Sequence, residues 1–176
     1  LFEPLDQGSY AMGTINKAHG NDYDIDEAVI FDEEDLPGDP ADARKRVENA
    51  MKVGGGDFST PPQALTNAVR VCYAAGHHVD LAIYRRSNDN LGATIIEHAG
   101  AEWTRRDPKE ITDWFLEIVR AKSPSKLQGA TVEDWQLRRV VRWVKKFAKS
   151  RTSWNMPGGL FCQYSPLSAT YWTIIG

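Results

Sequence analysis

Asp24-Ile25-Asp26 lies inside a run whose apolar residues fall on every second position, with Tyr23, Ile25, Val29 and Phe31 on one side. That alternation is the period of a half-buried strand, so residues 23–31 are expected to form one. Successive side chains of a strand leave opposite faces, and the two carboxylates therefore share a face. Two acids held so close repel each other and are costly to desolvate without a cation between them. The pair thus demands a sheet in which this face meets either water or a hard cation such as Mg²⁺.

The other elements follow from local signals. Leu1 to Asp6 reads as short and extended, and Gln7-Gly8-Ser9-Tyr10 as a turn that opens a helix. Asp39-Pro40, after a loop from Asp35, is an N-cap followed by proline at the first helical position. It predicts a helix to about Met51, ended by Gly54-Gly55-Gly56. After Pro61-Pro62, apolar residues alternate at Val69, Val71 and Tyr73 and again at Val79, Leu81 and Ile83. With Gly76 between them, 68–74 and 77–84 are expected to form a hairpin, and 94–98 a further strand. Asp107-Pro108 caps a helix to about Lys122, with Ile111, Trp114, Phe115 and Ile118 at helical spacing. Ser123 to Gly129 is a linker, and Thr131 with Asp134 starts a helix to about Ser150. Strands first and helices after give an α+β fold with a mixed sheet. Residues 1–106 form the core, and 107–176 a second, helical part.

Composition removes several classes. The 176 residues are 41% hydrophobic and 26% charged, which is globular usage. No run approaches the roughly 18 apolar residues of a membrane span, and no basic-then-apolar segment opens the chain. Two cysteines, Cys72 and Cys162, are too few for a disulfide framework or a four-thiolate zinc site, which favours a reducing cytoplasm. The net charge of −3 conceals an asymmetry. Residues 1–60 hold 14 acidic and 5 basic side chains, a net −9, while 61–176 hold 10 and 16, a net +6. One half suits cations and the other phosphates, although two solvated faces would look the same.

A third carboxylate, Asp80, sits in His78-Val79-Asp80-Leu81-Ala82-Ile83, on the face opposite Val79, Leu81 and Ile83. If that strand neighbours the first, three carboxylates converge, enough for two metal ions roughly 3.5–4 Å apart. Upstream, Gly8 and Ser9 offer backbone N–H groups and a hydroxyl of the kind that cradles a phosphate, or a plain serine N-cap. Other residues are given structural roles. His77-His78 lacks a second ligand cluster and is assigned to a turn and strand edge rather than to zinc. Trp103, Trp114, Trp135 and Trp143 are assigned mostly to the core, and Cys72 to buried packing. Gly54-Gly55-Gly56 has no following lysine and is no P-loop.

The sequences Gln7-Gly8-Ser9-Tyr10-Ala11-Met12-Gly13-Thr14, Asp22-Tyr23-Asp24-Ile25-Asp26 and His78-Val79-Asp80-Leu81 together resemble the nucleotidyltransferase superfamily. Within it the wording is most similar to the bacterial cGAS/DncV-like nucleotidyltransferases (CD-NTases), the cyclic-oligonucleotide synthases of CBASS antiphage systems. The resemblance runs from residue 1 to about 158. It implies a polymerase-β-like nucleotidyltransferase fold, a mixed sheet flanked by helices, followed by part of a helical second lobe. It also implies a metal-dependent joining of nucleoside triphosphates, ATP, GTP or others, with release of pyrophosphate. A transferase acting on tRNA, protein or a small molecule, or an inactive nucleotide-binding fragment, are the alternatives. Asp24, Asp26 and Asp80 would be the catalytic, metal-binding residues for two Mg²⁺ ions, or Mn²⁺. Gln7, Gly8 and Ser9 would meet the donor triphosphate, Tyr10 a base, and Lys145, with Ser153 as a weaker candidate, the phosphates. Lys145 stands in Leu137-Arg138-Arg139-Val140-Val141-Arg142-Trp143-Val144-Lys145-Lys146-Phe147. There Leu137, Val140, Val141, Val144 and Ala148 are expected as the apolar stripe, and the bases on another face. No membrane and no nucleic-acid site are implied, and a regulatory protein partner is compatible. The family's helix before the Gly-Ser turn and its later helices are not in this sequence, and 160–176 does not read as a continuing helix. An incomplete chain is therefore the expectation.

Overall fold

The computed structural model describes residues 2–16, 23–123 and 136–151. These fall into two compact units, 2–11 with 23–110, and 12–16 with 111–123 and 136–151. The expected strand at the carboxylate pair is β2 (Asp24–Asp32), preceded by β1 (Phe2–Gln7) and a single helical turn, α1 (Gly8–Ala11). A short 3-10 turn at Glu33–Asp35 leads to α2 (Pro40–Gly54). Asp39 caps α2, its carboxylate accepting from the N–H of Ala41 at 2.8 Å and of Asp42 at 3.1 Å, with Pro40 just inside. Four strands follow before the first unit closes with a fifth: β3 (Phe58–Ala64), β4 (Val69–Tyr73), β5 (His78–Asn88), β6 (Thr94–Ala99) and β7 (Trp103–Arg105).

One mixed sheet holds all seven strands of this unit. Its main order is β1-β2-β5-β4-β3, with β6 joining the distal half of β5 and carrying β7. The pairing of β2 with β5 is parallel, and the other pairings are antiparallel. The β4–β5 hairpin is present as expected, closed by Tyr73 and His77 and turning at Gly76 with φ +96°. Pro61 and Pro62 both lie within β3, a strand not among those expected. A proline cannot donate to the ladder, and β3 is an edge strand whose register shifts between Thr60 and Gln63. Edge position is a tertiary property that local sequence does not carry.

The sheet's two faces divide the side chains by parity. On one, Val29, Val69, Ile83 and Ala99 bury with Val47 of α2, and Leu36, Met51 and Trp103 pack around them. Full burial of each large aliphatic chain stabilises by roughly 1.5–3 kcal/mol. Arg44 of α2 is buried beside this cluster and donates to the carbonyls of Ala99 and Gly100, which satisfies its charge and ties helix to sheet. The other face carries Ala28, Ile30 and Tyr84, with Leu5, Ala82 and Ile96. Along β2 and β5 that second face changes from apolar to acidic toward the strand starts.

The second unit contains α3 (Glu110–Lys122) and α4 (Gln136–Lys149) around Met12, Phe115, Val119 and Val141. Segment 12–16 is threaded into it: Asn16 Nδ2 donates to the Arg142 carbonyl at 2.8 Å, and Thr14 is fully buried. The apolar stripe expected on α4 is only partly the buried one. Arg138 and Val141 are buried, whereas Val140, Trp143, Val144 and Phe147 are exposed, Trp143 at 72%. The Arg138 side chain lies beside Gly13, whose φ is +65°, at about van der Waals range from where a Cβ would stand. Trp143 is therefore not a core residue. Trp103 and Trp114 are half-buried against their respective cores. The linker at 123–129 (past Ser123), Trp135, Cys162 and the segment 160–176 lie outside the described residues.

Candidate active site

The register of β2 with β5 sets Asp26 directly beside Asp80, and Asp24 beside His78. In a parallel pair, residues opposite one another share a face, so all three carboxylates leave the same side of neighbouring strands. Gln7 of β1 is the partner of Asp26 on its other flank, and Arg70 of β4 is the partner of Asp80. A continuous row, Gln7–Asp26–Asp80–Arg70, crosses four strands. A second row, Asp24–His78–Cys72, lies next to it toward the strand starts.

Gly8 closes the site from the end of β1. Its φ is +59°, a backbone region open to glycine at little cost. A Cβ built there would stand 2.0 Å from Asp26 Oδ2 and 3.0 Å from Asp26 Cβ. The α1 turn thus rests against one of the central carboxylates with no space for a side chain. Ser9 is half-buried in that turn and Tyr10 is 49% exposed.

The carboxylates are not equivalent. Asp80 is held by a two-pronged contact: Arg70 Nε donates to Oδ1 at 2.8 Å and Nη2 to Oδ2 at 2.7 Å. This fork and the neighbouring Asp24 charge push the Arg70 pKa above its ordinary value against the opposing effect of burial. Asp80 keeps 19% of its side chain exposed and Arg70 39%. Asp24 is 61% exposed and pairs with His78 through Oδ1 and Nε2. His78 therefore does more than mark a strand edge. Cys72 is half-buried on the site's face rather than fully packed.

The hard oxygen donors, their common face and their adjacent register fit a divalent cation. The side chains as they stand do not make a cage. Among the described residues no group of three His, Cys, Asp or Glu gathers closely enough to hold an ion, and Asp24 and Asp80 are paired with His78 and Arg70. Gln7 also has other work: its amide nitrogen donates to the Pro108 carbonyl at 2.8 Å and the Tyr84 hydroxyl at 3.3 Å. What it offers a ligand is its amide oxygen, which does not attract a phosphate. Lys145 belongs to the second unit, where its ammonium donates to the Thr14 carbonyl at 3.2 Å. Ser153 and Asp22 lie outside the described residues. Arg70 was missed by the sequence reading, yet a signal existed. The hairpin about Gly76 pairs position 70 with 80, and Arg70 alternates with Val69 and Val71 as Asp80 does with Val79 and Leu81.

Residues 3–84 match the family model "Cyclic GMP-AMP synthase DncV-like, nucleotidyltransferase domain". The chain is similar in fold to the GTP-bound form of Vibrio cholerae DncV (TM-score 0.66, 17% identity, covering 93% of this chain and 43% of that one). It is also similar to Escherichia coli DncV bound to 3'-deoxy GTP (TM-score 0.63, 16% identity, 93% and 44% covered). The Bradyrhizobium diazoefficiens CD-NTase CdnG in complex with GTP gives a TM-score of 0.61 at 16% identity, with 90% and 54% covered. At such identities the likeness is one of fold, and the chain spans about half the length of these structures. The α+β expectation holds, with the mixed sheet and its helices in place.

Proposed function

We propose, for a chain whose residues 3–84 are a nucleotidyltransferase domain of the DncV-like family, that it joins nucleoside triphosphates into a cyclic di- or oligonucleotide. The observation that carries this reading is Gly8 abutting Asp26 while Asp26 and Asp80 stand side by side on parallel strands. Two like charges opposite one another are destabilising, so the arrangement answers a chemical need and not a structural one.

In the proposed reaction a ribose hydroxyl oxygen attacks the α-phosphorus of a bound triphosphate, a new P–O bond forms, and the bond to the β-phosphate oxygen breaks to release pyrophosphate. The hydroxyl proton passes to Asp80 and on to solvent. Asp24, Asp26 and Asp80 would hold Mg²⁺ or Mn²⁺, which when bound lowers the hydroxyl pKa and neutralises phosphate charge. The backbone N–H groups and Ser9 hydroxyl of the α1 turn orient the triphosphate, and the exposed ring of Tyr10 offers a base a stacking surface. Lys145 and Ser153 are carried by the resemblance alone as further phosphate-contacting residues. Most of the acceleration comes from positioning and charge neutralisation, as in other phosphoryl transfers. Residues 1–106 are the catalytic core in this reading, and 107–176 part of a helical lobe. A cytoplasmic role in antiphage signalling goes with it. No helix among the described residues is long and apolar enough to cross a membrane.

The test is incubation with labelled ATP, GTP, CTP and UTP and Mg²⁺, beside an Asp24→Asn/Asp26→Asn variant, with products resolved after phosphatase treatment. Phosphatase-resistant cyclic products lost in the variant are expected. Label transferred to added tRNA or protein instead would replace the cyclic product with the alternative acceptor. No transfer to any acceptor would overturn the reading.

A further inference from the structure

We infer that Arg70 is a resident counter-cation for the carboxylate row, holding Asp80 until a divalent cation displaces it, and so sets the metal affinity of the site. The inference rests on the nucleotidyltransferase reading and names a residue that the reading does not use.

Three observations carry it. First, the fork between Arg70 and Asp80 uses both carboxylate oxygens, at 2.8 and 2.7 Å, on the residue that is the register partner of Asp26. Bidentate guanidinium pairing is a planar match that takes one lone pair on each carboxylate oxygen. An oxygen engaged in this way is not available to an ion on the same side. Second, no ligand group of three exists among the described residues although the backbone register brings the three aspartates to one face. At Asp80 the carboxylate is engaged by Arg70 instead. Third, the fork is accessible. Arg70 is 39% exposed on a four-bond arm, and Asp80 is 19% exposed. Water screens a pair of this kind, whose net value is modest, whereas a divalent ion on clustered carboxylates gains far more. The arm can therefore release Asp80 without unfolding any part of β4.

Charge balance explains why such an arm is useful. Asp26 and Asp80 are opposite neighbours with Asp24 one step away, and without a positive partner this row would repel itself. Arg70 keeps the strand starts together before the ion arrives. The same charge then opposes the ion's arrival. A full charge beside a carboxylate changes its affinity for a proton by roughly 1–3 logarithmic units, and the same field acts on a metal ion.

The experiment is titration of the protein with Mn²⁺ alone, without nucleotide, followed by calorimetry and by the electron paramagnetic resonance signal of free Mn²⁺. Wild type, Arg70→Gln, Arg70→Lys, Asp80→Asn and Arg70→Gln/Asp80→Asn are compared. Arg70→Gln is expected to tighten Mn²⁺ binding at least about tenfold. Arg70→Lys, which keeps a charge but cannot make the fork, should fall between it and wild type, and serves if the glutamine variant does not fold. The double variant should lose the gain. Mn²⁺ should raise the thermal midpoint more in Arg70→Gln than in wild type, a readout that a purely structural arginine would not move. Mn²⁺ binding that is equal or weaker in both Arg70 variants would overturn the inference and leave the proposed function standing. Absence of binding in every form would overturn both.

Discussion

The two ends of the β2–β5 pair carry similar numbers of charges and use them differently. At the far end Arg86 takes Asp32, its register partner, and Glu3, while Arg85 takes Glu97 and Glu33 and lies 4.3 Å over the Trp103 ring. Acid meets base across each strand boundary there, as cross-strand pairing favours. At the near end Asp26 stands beside Asp80, acid against acid; His78 answers Asp24 at the strand starts, and the base for Asp80, Arg70, comes from β4. The far end is arranged for the sheet. The near end is arranged against it, and glycine rather than a side chain closes over Asp26. Charge count does not separate a structural cluster from a functional one; the sign of nearest neighbours does.

The largest effect should come from substituting one residue at each end. Asp26→Asn is expected to cost at least about 10³-fold in nucleotidyl transfer, with the folding midpoint unchanged or raised because repulsion from Asp80 is relieved. Asp32→Asn should leave transfer intact. Equal loss of transfer in both would erase the distinction between the ends. Gly8→Ala comes next. Its left-handed backbone alone costs an alanine about 1–2 kcal/mol, and contact with Asp26 adds to that. Gly92→Ala is the matched control, since its φ is +81° and nothing lies within 4 Å of the added carbon. Denaturant midpoints should fall further for Gly8→Ala, and a matching fall in both would leave the Asp26 contact without energetic weight.

Between the ends, His98 tests the apolar middle. Burial, with help from the charges of Arg106 and Arg44, holds its pKa below the ordinary 6.5, and its Nε2–H donates to the Asn67 carbonyl at 2.9 Å. The unfolded chain then binds a proton that the folded one refuses. Stability is full above pH 6.5 and should fall as pH drops from there toward the depressed value. Urea unfolding across that range checks it, and His98→Gln should flatten the slope. The smallest effect is expected at Arg86→Gln, whose exposed pairs are well screened. Its thermal midpoint should not resolve from wild type, and a clear drop would give the far end more weight than assigned to it.

Local chemistry made much of this readable. Asp39-Pro40 announces α2 because a cap involves only neighbouring residues, and the alternation around Asp24 and Asp26 fixes a common face without reference to the rest of the fold. The parallel pairing of β2 with β5 was a condition rather than a reading, since strands far apart in sequence leave no local mark of their pairing. Arg70 escaped for the same reason at one remove: its fork with Asp80 depends on the β4–β5 register. Gln7 was assigned to a ligand by resemblance, and its partners Tyr84 and Pro108 come from distant segments. On α4, period alone could not say which of two apolar edges faces inward, nor that Arg138 is buried beside Val141.

Pro61 and Pro62 have a consequence beyond β3 itself. Neighbouring residues of a strand aim their N–H positions to opposite sides, so this pair takes one donor from the sheet's outer border and one from the β4 side, and the shifted register bends the strand there. A neighbouring polypeptide laid along that border would meet a missing donor and a kink. The border away from β1 is thereby a poorer template for a further strand.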